Sequence, residues 1–552
     1  MNNILKIRCK NNNSIISVPL GSTLADAFSA SQIKMEYGPV AALVNNKVQG
    51  MNYRFYNNKD VEFLSLYNAA GMRTYIRTLF LVLIKAAEDL YPTGKLLISA
   101  QVNGGFYCEM RIGREINEED VSKLRSRMQQ IIDENMPVSH IQCPVEEAIE
   151  LYAKKDMKSK VKLLESFDKL YTNYYKLGDT IDDFCSCMLT HTGQLHLFDL
   201  VYYMEGMLLC VPSQKNPAEL AEKTEQTQMI DVIREYHRWQ DILGIRSVGD
   251  FNTAVKNGHA TELINVSEAL QDRKLNHIAD EIALRHSRIV LIAGPSSSGK
   301  TTTSKRLAIL LMACGLKPYT LSTDDYFVNR VDTPLDEKGE YDFECIQAVD
   351  TAFFNKQMNE LLEGKEVELP RYDFQSGKRV FEGKKLSIGP DDIIILEGNH
   401  ALNPILTQQI PDDKKFRIYV SALTTIQLDD HNCIATQDIR LLRRIVRDYQ
   451  YRGYSALQTI RRCPSVTAGE EKWIIPFQVY ADVTFNSALL YEISVIKDKV
   501  LSILEEVSER EIEYADANRL RKFLHYFRSI PEDQVPPTSL LREFAGGSSF
   551  KY

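Results

Sequence analysis

The 552-residue sequence lacks a long apolar run in its N-terminal part. The longest one there, residues 79–84, is bounded by Arg77 and Lys85 and is far too short to span a bilayer. The first residues also lack the charged, apolar and small-residue regions of a signal peptide. We therefore expect no membrane segment and a cytoplasmic protein.

Basic charge and paired cysteines are scarce as well. The net charge is −8, so no broad nucleic-acid-binding surface is expected, although a local basic face remains open. The ten cysteines are scattered and mostly lie in apolar segments, which is typical of reduced core cysteines rather than of a disulfide framework. A chain of this length predicts several domains of roughly 100 to 200 residues each.

A phosphate-binding loop is the strongest pattern that is present. The apolar stretch 289–293 precedes a Gly-x-x-x-x-Gly-Lys-Thr sequence, and a segment of helical period closed by Gly315 follows it. Lys300 can reach the β- and γ-phosphates of a nucleotide, and the Thr301 hydroxyl can ligate Mg²⁺. The residues predicted to bind ATP here are Gly294, Pro295, Ser296, Ser297, Ser298, Gly299, Lys300, Thr301 and Thr302.

Two further predicted strands end in carboxylates. Residues 317–323 lead into Asp324, and the aliphatic stretch 392–396 leads into Glu397. The carboxyl ends of parallel strands beside such a loop face the crevice where ligands bind. We predict that Asp324 is the general base for an attacking hydroxyl and that Glu397 lies near the metal ion.

An arginine-rich helix is predicted around residue 440. Its four arginines are spaced by three, four and seven residues and share one helical face: Arg440, Arg443, Arg444 and Arg447. Four guanidiniums repel one another unless an anion joins them, and a triphosphate is such an anion. We favour a phosphate-binding lid, with Arg443 and Arg444 on ATP and a catalytic Arg447, over a solvated helix.

The first part of the chain predicts a small sheet crossed by one helix over residues 1–68 and an α+β domain over residues 69–213. Together they resemble the TGS domain and the editing-type domain of threonyl-tRNA synthetases. Where those enzymes carry His-x-x-x-His, this chain has Arg73, Arg77 and apolar residues. We therefore favour a degenerate domain over a live zinc site, and binding of RNA by this half stays open. The remaining candidate zinc ligands are Cys185, Cys187, His191 and His196.

Two other segments are predicted to be largely helical. Residues 214–285 are interpreted as a connector, with helices over 218–243 and 260–285. Residues 491–552 form a helical tail that turns irregular near its end. We expect this tail to pack on the catalytic domain or on a second subunit, so a homo-oligomer is open.

Residues 286–490 resemble the uridine kinase and phosphoribulokinase family of P-loop kinases. The fold class is thus multidomain α/β, with a mostly parallel sheet flanked by helices in the kinase domain. The motifs that carry the resemblance occur in family order. They are the phosphate loop, Ser-Thr-Asp-Asp-Tyr-Phe at 322–327, Tyr-Asp-Phe at 341–343, Pro-Arg-Tyr-Asp-Phe at 370–374, Glu397-Gly398, the arginine-rich run, and Tyr-Ala-Asp-Val at 480–483.

This resemblance implies ATP and Mg²⁺ as cofactors and assigns roles on the acceptor side. Asp324 would take the proton of a primary hydroxyl, and Asp342 would bind a ribose diol. Arg444 and Arg447 would hold phosphates or sugar. The aromatic residues assigned to the substrate pocket are Tyr326, Tyr372 and Phe374.

One departure concerns the acceptor. Uridine and cytidine kinases follow Tyr-Asp-Phe with a histidine that contacts the pyrimidine, whereas this chain continues Gln375-Ser376-Gly377. Loss of a designed hydrogen bond can change selectivity substantially. We predict a nucleoside 5′-kinase, with uridine or cytidine as the leading acceptor. A kinase of another small alcohol and an RNA-associated, nucleotide-gated regulator remain the alternatives.

Overall fold

The computed structural model describes residues 4–102, 104–166, 169–184, 186–223, 227–335, 339, 341–424 and 426–551. Within these ranges no helix is both long and apolar enough to cross a membrane. Cys185, one of the candidate zinc ligands, lies outside the described residues.

The first domain is a five-stranded sheet with one helix. Its sheet order is β2-β1-β5-β3-β4, and β1 and β5 run parallel. Thr23 and Asp26 form a capping box at the start of the helix, as the Ser/Thr-rich start predicts. The elements are β1 Ile4–Cys9, β2 Ser14–Pro19, α1 Leu24–Ser31, β3 Ala41–Val44, β4 Lys47–Gln49 and β5 Lys59–Leu64.

The second domain is built around a buried helix, α2, which spans Ala69–Leu90. The apolar run 79–84 lies inside it and is buried on every side, which explains why the run has no polar face. Two antiparallel sheets, β11-β12-β7-β6 and β10-β9-β8, accompany it. The other elements are β6 Lys95–Val102, β7 Gly105–Arg111, α3 Glu118–Asp133, β8 Ser139–Pro144, α4 Val145–Lys154, α5 Lys158–Glu165, β9 Tyr171–Leu177, β10 Thr180–Asp182, β11 Asp199–Tyr203 and β12 Gly206–Cys210.

Three helices connect this domain to the kinase sheet: α6 Thr227–Leu243, α7 Val248–Lys256 and α8 Ala260–Leu284. The predicted helix over 218–243 begins too early. Residues 218–223 are extended or turn because Leu220 pairs with Pro212 and the Ala221 amide donates to the Val211 carbonyl oxygen at 2.9 Å. These backbone hydrogen bonds pair the segment 218–223 with the residues that follow β12, so its backbone groups cannot form helical hydrogen bonds.

The predicted kinase domain contains an all-parallel sheet of order β14-β17-β13-β18-β19. Its central strand β13 is buried on both faces, as an aliphatic strand between helical layers must be. The elements are β13 Ile289–Ala293, α9 Lys300–Ala313, β14 Lys317–Ser322, α10 Thr351–Leu362, β15 Val367–Asp373, β16 Lys378–Leu386, β17 Asp392–Glu397, β18 Lys415–Ser421, α11 Thr436–Arg447, α12 Ala456–Trp473 and β19 Val483–Asn486.

The C-terminal tail packs on the kinase domain, which is one of the two arrangements expected. It contains α13 Glu492–Glu505, α14 Tyr514–Leu524 and α15 Arg542–Ala545. Apolar residues of α13 and α14 share one core with Leu442 and Ile445 of α11. Leu540 and Phe544 pack into a second core together with the phosphate-loop helix α9.

A buried ionic network joins the second domain to the kinase domain. The Lys160 ammonium lies 2.6 Å from a carboxylate oxygen of Asp182 and 3.0 Å from one of Asp429. His431 Nδ1 lies 2.5 Å from the other oxygen of Asp182. Burial alone would raise the pKa of Asp182, but Lys160 and His431 more than offset this and lower it. Each charge in the network therefore has a partner that compensates for its loss of water.

Replacing Lys160 by Met should destabilise the protein by about 3 to 5 kcal/mol, because Asp182 and Asp429 would then be buried carboxylates without the ammonium. Differential scanning calorimetry of the full chain should show a clearly lower midpoint. Lys158→Met on the same helix is the matched control, since the Lys158 side chain is 75% exposed. Equal and small shifts for both variants would contradict a stabilising network.

Candidate active site

The strand order brings the predicted catalytic side chains to one edge of the sheet. Strand β17 lies between β13 and β14, and Glu397 at its end is in register with Ile292 on one side and Ser322 on the other. Asp324 follows two residues after Ser322, in a short 3₁₀ turn. The phosphate loop begins just after β13. The phosphate loop, the predicted base Asp324 and the predicted metal ligand Glu397 therefore lie at the same carboxyl edge of the sheet. Ligands bind at this edge in such sheets.

Two positions at this edge require glycine because neighbouring chain segments approach their backbone closely. A Cβ at Gly294 would lie 2.1 Å from the carbonyl oxygen of Val420, and a Cβ at Gly398 would lie 1.7 Å from the Thr323 hydroxyl. Both distances are far inside van der Waals contact, so a larger residue at Gly294 would push the loop away from β18, and one at Gly398 would push the turn after β14 away from the end of β17. The glycines set the width of the crevice.

The phosphate loop presents groups that fit an anion. The hydroxyl oxygens of Ser297 and Ser298 are buried without a hydrogen-bond partner among the described residues. The Lys300 ammonium donates to the carbonyl oxygen of Gly294 at 2.8 Å and to Asn399 Oδ1 at 3.0 Å. Burial lowers the pKa of Lys300 despite nearby carboxylates. Buried donors of this kind are what a phosphate group would satisfy.

Asp324 and Glu397 are half-buried at this edge, and loss of water dominates their titration. It raises the pKa of Glu397 to about 7, although Lys300 opposes this. Burial also raises the pKa of Asp324, with a further contribution from Asp325. A cation beside Glu397 would stabilise its ionised form, so Glu397 and the Thr301 hydroxyl fit a Mg²⁺ site. No cluster of three or more ligating side chains occurs among the residues that the structure covers.

The arginine-rich helix α11 lies behind the phosphate loop. Arg440 donates to Glu470 at 2.7 Å and to the Ser296 carbonyl oxygen at 3.3 Å. Arg443 is fully buried; it donates to Glu492 at 2.5 Å and to the Ser297 carbonyl oxygen at 3.3 Å. The expectation that a bound triphosphate joins these guanidiniums is therefore corrected, because carboxylates of the chain do so. Arg443 supports the loop from behind and does not face an open ATP site.

The other two arginines of this helix lie near carboxylates of the chain as well. Arg447 donates twice to Asp448, at 3.0 and 2.8 Å, and Arg444 lies 3.9 Å from Glu470. Arg452, which the sequence did not single out, is 56% exposed and lowers the pKa of Asp324 electrostatically, although burial raises it more. The assignment of Arg444 and Arg447 to phosphates stays a prediction.

An aromatic cluster lies beside Asp325. The Tyr372 ring packs edge-to-face against Phe327 at 5.5 Å and Phe374 at 5.0 Å between ring centres. The Tyr372 amide donates to Asp325 at 3.2 Å, which ties the β15 strand to the turn that carries Asp324. Phe374 is 59% exposed. An exposed ring on a fixed aromatic base is a surface on which a flat ligand can stack.

Two substrate assignments look different in the structure. Tyr326 is only 1% exposed, and its hydroxyl donates to Gln357 at 3.0 Å, so it is a core residue and the predicted substrate contact is corrected. Asp342 accepts from the Glu344 amide at 3.0 Å and so caps its own turn. Its ribose contact stays a prediction, since the turn leaves the carboxylate half-buried.

Three polar residues near Lys300 were missed. Asn399 joins Lys300 to Glu344, to which its amide donates at 3.3 Å. Burial raises the pKa of Glu344 and lowers the pKa of His400 to about 4, so His400 is neutral. Asn399 and His400 directly follow Glu397-Gly398, and that position at a strand end could have indicated them. Glu344 comes from a loop without such a pattern.

Comparisons with known proteins agree with this architecture. The model of the phosphoribulokinase / uridine kinase family matches residues 289–494. The uridine kinase of Ligilactobacillus salivarius is 33% identical over 196 residues, which cover 35% of this chain and 83% of that enzyme. The uridine kinase of Streptococcus pyogenes serotype M5 is 30% identical over 227 residues, 41% of this chain and all of that enzyme. This chain belongs to the phosphoribulokinase / uridine kinase family. It is a P-loop phosphotransferase with additional domains.

The residues before the family domain have other relatives. The threonine–tRNA ligase of Clostridium kluyveri is 29% identical over 180 residues, 32% of this chain, but only 28% of that ligase is covered. The match falls on the N-terminal part, which confirms a synthetase-like region. Its candidate zinc ligands have other partners: Cys187 lies 3.3 Å from the Thr74 hydroxyl, and His196 Nε2 lies 3.0 Å from the Pro217 carbonyl oxygen. His191 is exposed beside Thr190.

Arg443→Met should destabilise this family domain by about 3 to 5 kcal/mol, because Glu492 would be left as a buried, unpaired carboxylate. The double variant Arg443→Met/Glu492→Met should recover a large part of that loss, since neither charge is then buried. Thermal denaturation without nucleotide measures both. If the double variant were the less stable of the two, the ion pair would not explain the role of Arg443.

Proposed function

We propose that this chain is an ATP-dependent nucleoside kinase that transfers the γ-phosphoryl group to the 5′-hydroxyl of a uridine- or cytidine-like acceptor. The observation that carries the proposal is the half-buried Asp324, which lies in the turn after β14 at the same carboxyl edge of the sheet as Glu397 and the phosphate loop. A nucleotide-gated switch needs the loop and one metal-binding carboxylate, such as Glu397, but it has no need of a second carboxylate for an acceptor hydroxyl. Family membership supports the same choice.

Phosphoryl transfer requires positioning and charge neutralisation more than covalent help. Asp324, with its raised pKa, accepts the proton of the acceptor hydroxyl as the oxygen attacks. Lys300 and the loop amides hold the transferred phosphoryl oxygens, and Arg447 adds positive charge from α11. Bound Mg²⁺ would neutralise further phosphate charge, and Thr301 and Glu397 are the residues that would hold it.

The aromatic cluster supports a planar acceptor. Phe374 offers an exposed stacking surface that rests on the buried Tyr372 ring, and Asp342 offers a carboxylate for a diol. Gln375, at the position of the family histidine, is exposed at the tip of the β15–β16 hairpin. Its amide side chain can both donate to and accept from a base edge. The second candidate acceptor is a different small alcohol. The absence of the family histidine at position 375 favours it.

Asp324→Asn should reduce transfer by about 100- to 10,000-fold while leaving ATP binding nearly intact, because the amide cannot accept the proton. Asp325→Asn is the matched control, since its remaining oxygen can still accept from the Tyr372 amide. Initial rates of ADP release and equilibrium binding of ATP measure the two effects separately. Equal loss of transfer and binding in Asp324→Asn would make Asp324 a structural residue.

A panel of nucleosides and sugars with MgATP identifies the acceptor. We expect a pyrimidine nucleoside to give the highest kcat/KM and its 5′-monophosphate as product, detected by mass spectrometry. Stimulation by a sugar or another alcohol alone would move the assignment to the second candidate. If no acceptor stimulates ADP release, the kinase proposal fails and a regulatory use of the nucleotide becomes the better explanation.

A further inference from the structure

The C-terminal segment places a carboxylate on the phosphate loop. Glu543 Oε2 accepts a hydrogen bond from the backbone amide of Thr302 at 3.2 Å and from its hydroxyl at 2.5 Å. Thr302 is the third residue of α9, the helix that starts at the loop. Glu543 lies 241 residues further along the chain, well beyond the family match.

This amide belongs to the anion-binding part of the loop. The first turn of a helix has free backbone amides, and in α9 the first helical bond runs from the Thr303 amide to the Gly299 carbonyl oxygen. The Thr302 amide precedes that bond, and Glu543 is an acceptor of it in place of a helical carbonyl oxygen. Carboxylate and phosphate oxygens are ligands of the same kind for such an amide, because both are anions attracted to the helix N-terminus. Glu543 thus takes a place that fits a nucleotide phosphate.

The backbone that carries Glu543 is firmly held. Leu540 and Phe544 on either side are fully buried, and the Arg443 guanidinium stacks on the Phe544 ring at 5.0 Å. The Lys499 ammonium donates to the Ala545 carbonyl oxygen at 2.8 Å. Only the side chain of Glu543 can leave the loop without breaking this packing. A rotamer change suffices for that, whereas release of the segment would expose its core residues.

The charges around Glu543 oppose a bound nucleotide. Glu397 and Glu543 both lie close enough to Lys300 to interact with its ammonium charge. The positive charge of Lys300 is therefore already balanced in part by carboxylates of the chain. A triphosphate brings several further negative charges to the same amides. Glu543 must then either move or repel the ligand, and in both cases nucleotide binding is weaker than the loop alone would allow.

We propose that Glu543 is an intramolecular competitor for the phosphates of the nucleotide. Its carboxylate occupies the first turn of α9 when the site is free, and it swings out when the phosphates enter. The competition sets the affinity for ATP through a residue outside the kinase core. The inference rests on the proposed use of ATP as phosphoryl donor.

Equilibrium binding of ATP to the full chain, without acceptor, tests the competition. Glu543→Gln and Glu543→Ala should each bind ATP about 3- to 10-fold more tightly, as expected when a competing helix-capping carboxylate is removed. The KM for ATP should fall in parallel while kcat stays within about twofold. Glu532→Gln is the matched control, because Glu532 lies in the same segment but pairs with Lys499. It should leave affinity unchanged.

Other outcomes overturn the inference. Unchanged affinity together with a lower melting temperature would make Glu543 a structural helix cap only. Weaker ATP binding, a lower kcat or a greater Mg²⁺ requirement would make Glu543 part of the nucleotide site. If the wild-type chain and both variants all fail to bind ATP, the proposed function itself fails. Melting curves of each variant show that the compared proteins are folded, and Glu543→Gln preserves the side-chain volume.

Discussion

The geometry of the phosphate loop depends on two buried ion pairs, Arg440–Glu470 and Arg443–Glu492. Each guanidinium also donates to a carbonyl oxygen of the loop, at Ser296 or Ser297. Buried charges are expensive to desolvate, and loss of one partner of such a pair leaves an uncompensated buried charge. Here the pairs fix the loop carbonyls in advance, so the loop amides and hydroxyls are oriented before a ligand arrives, which is the preorganisation that phosphoryl transfer requires.

The same pairs make the catalytic site depend on elements far away in the sequence. Glu470 lies in the last turn of helix α12 and also accepts a hydrogen bond from the Ser296 amide at 2.9 Å, and Glu492 begins α13. The tail beyond them packs on α11 and contributes Glu543 to the loop. The C-terminal residues are therefore part of the kinase architecture and not an appended helical unit. A change in the tail can therefore alter the contacts of the phosphate loop without touching the family motifs.

Buried ion pairs also join the synthetase-like half to the kinase. Lys160 and Asp182 of that half share a buried network with Asp429 and His431, which follow strand β18. Because a buried charge without a partner costs several kcal/mol, this network strongly favours one arrangement of the two halves. The synthetase-like half thus packs against the kinase through this network, and it carries Arg73 and Arg77 where the resemblance predicts histidines.

The sequence by itself determined the elements whose signals are local. The strand, loop and helix around Lys300, the carboxylates at Asp324 and Glu397, and the parallel sheet follow from periodicity, glycine spacing and position at strand ends. Only the tertiary structure decided the partners of the arginine-rich helix, because a guanidinium pairs with whichever carboxylate the fold brings near. Arg443 therefore proved to be a support rather than a phosphate ligand, Tyr326 a core residue, and Glu543 an occupant of the loop. Such contacts join residues that are tens to hundreds of positions apart, so no pattern in the neighbouring sequence can reveal them.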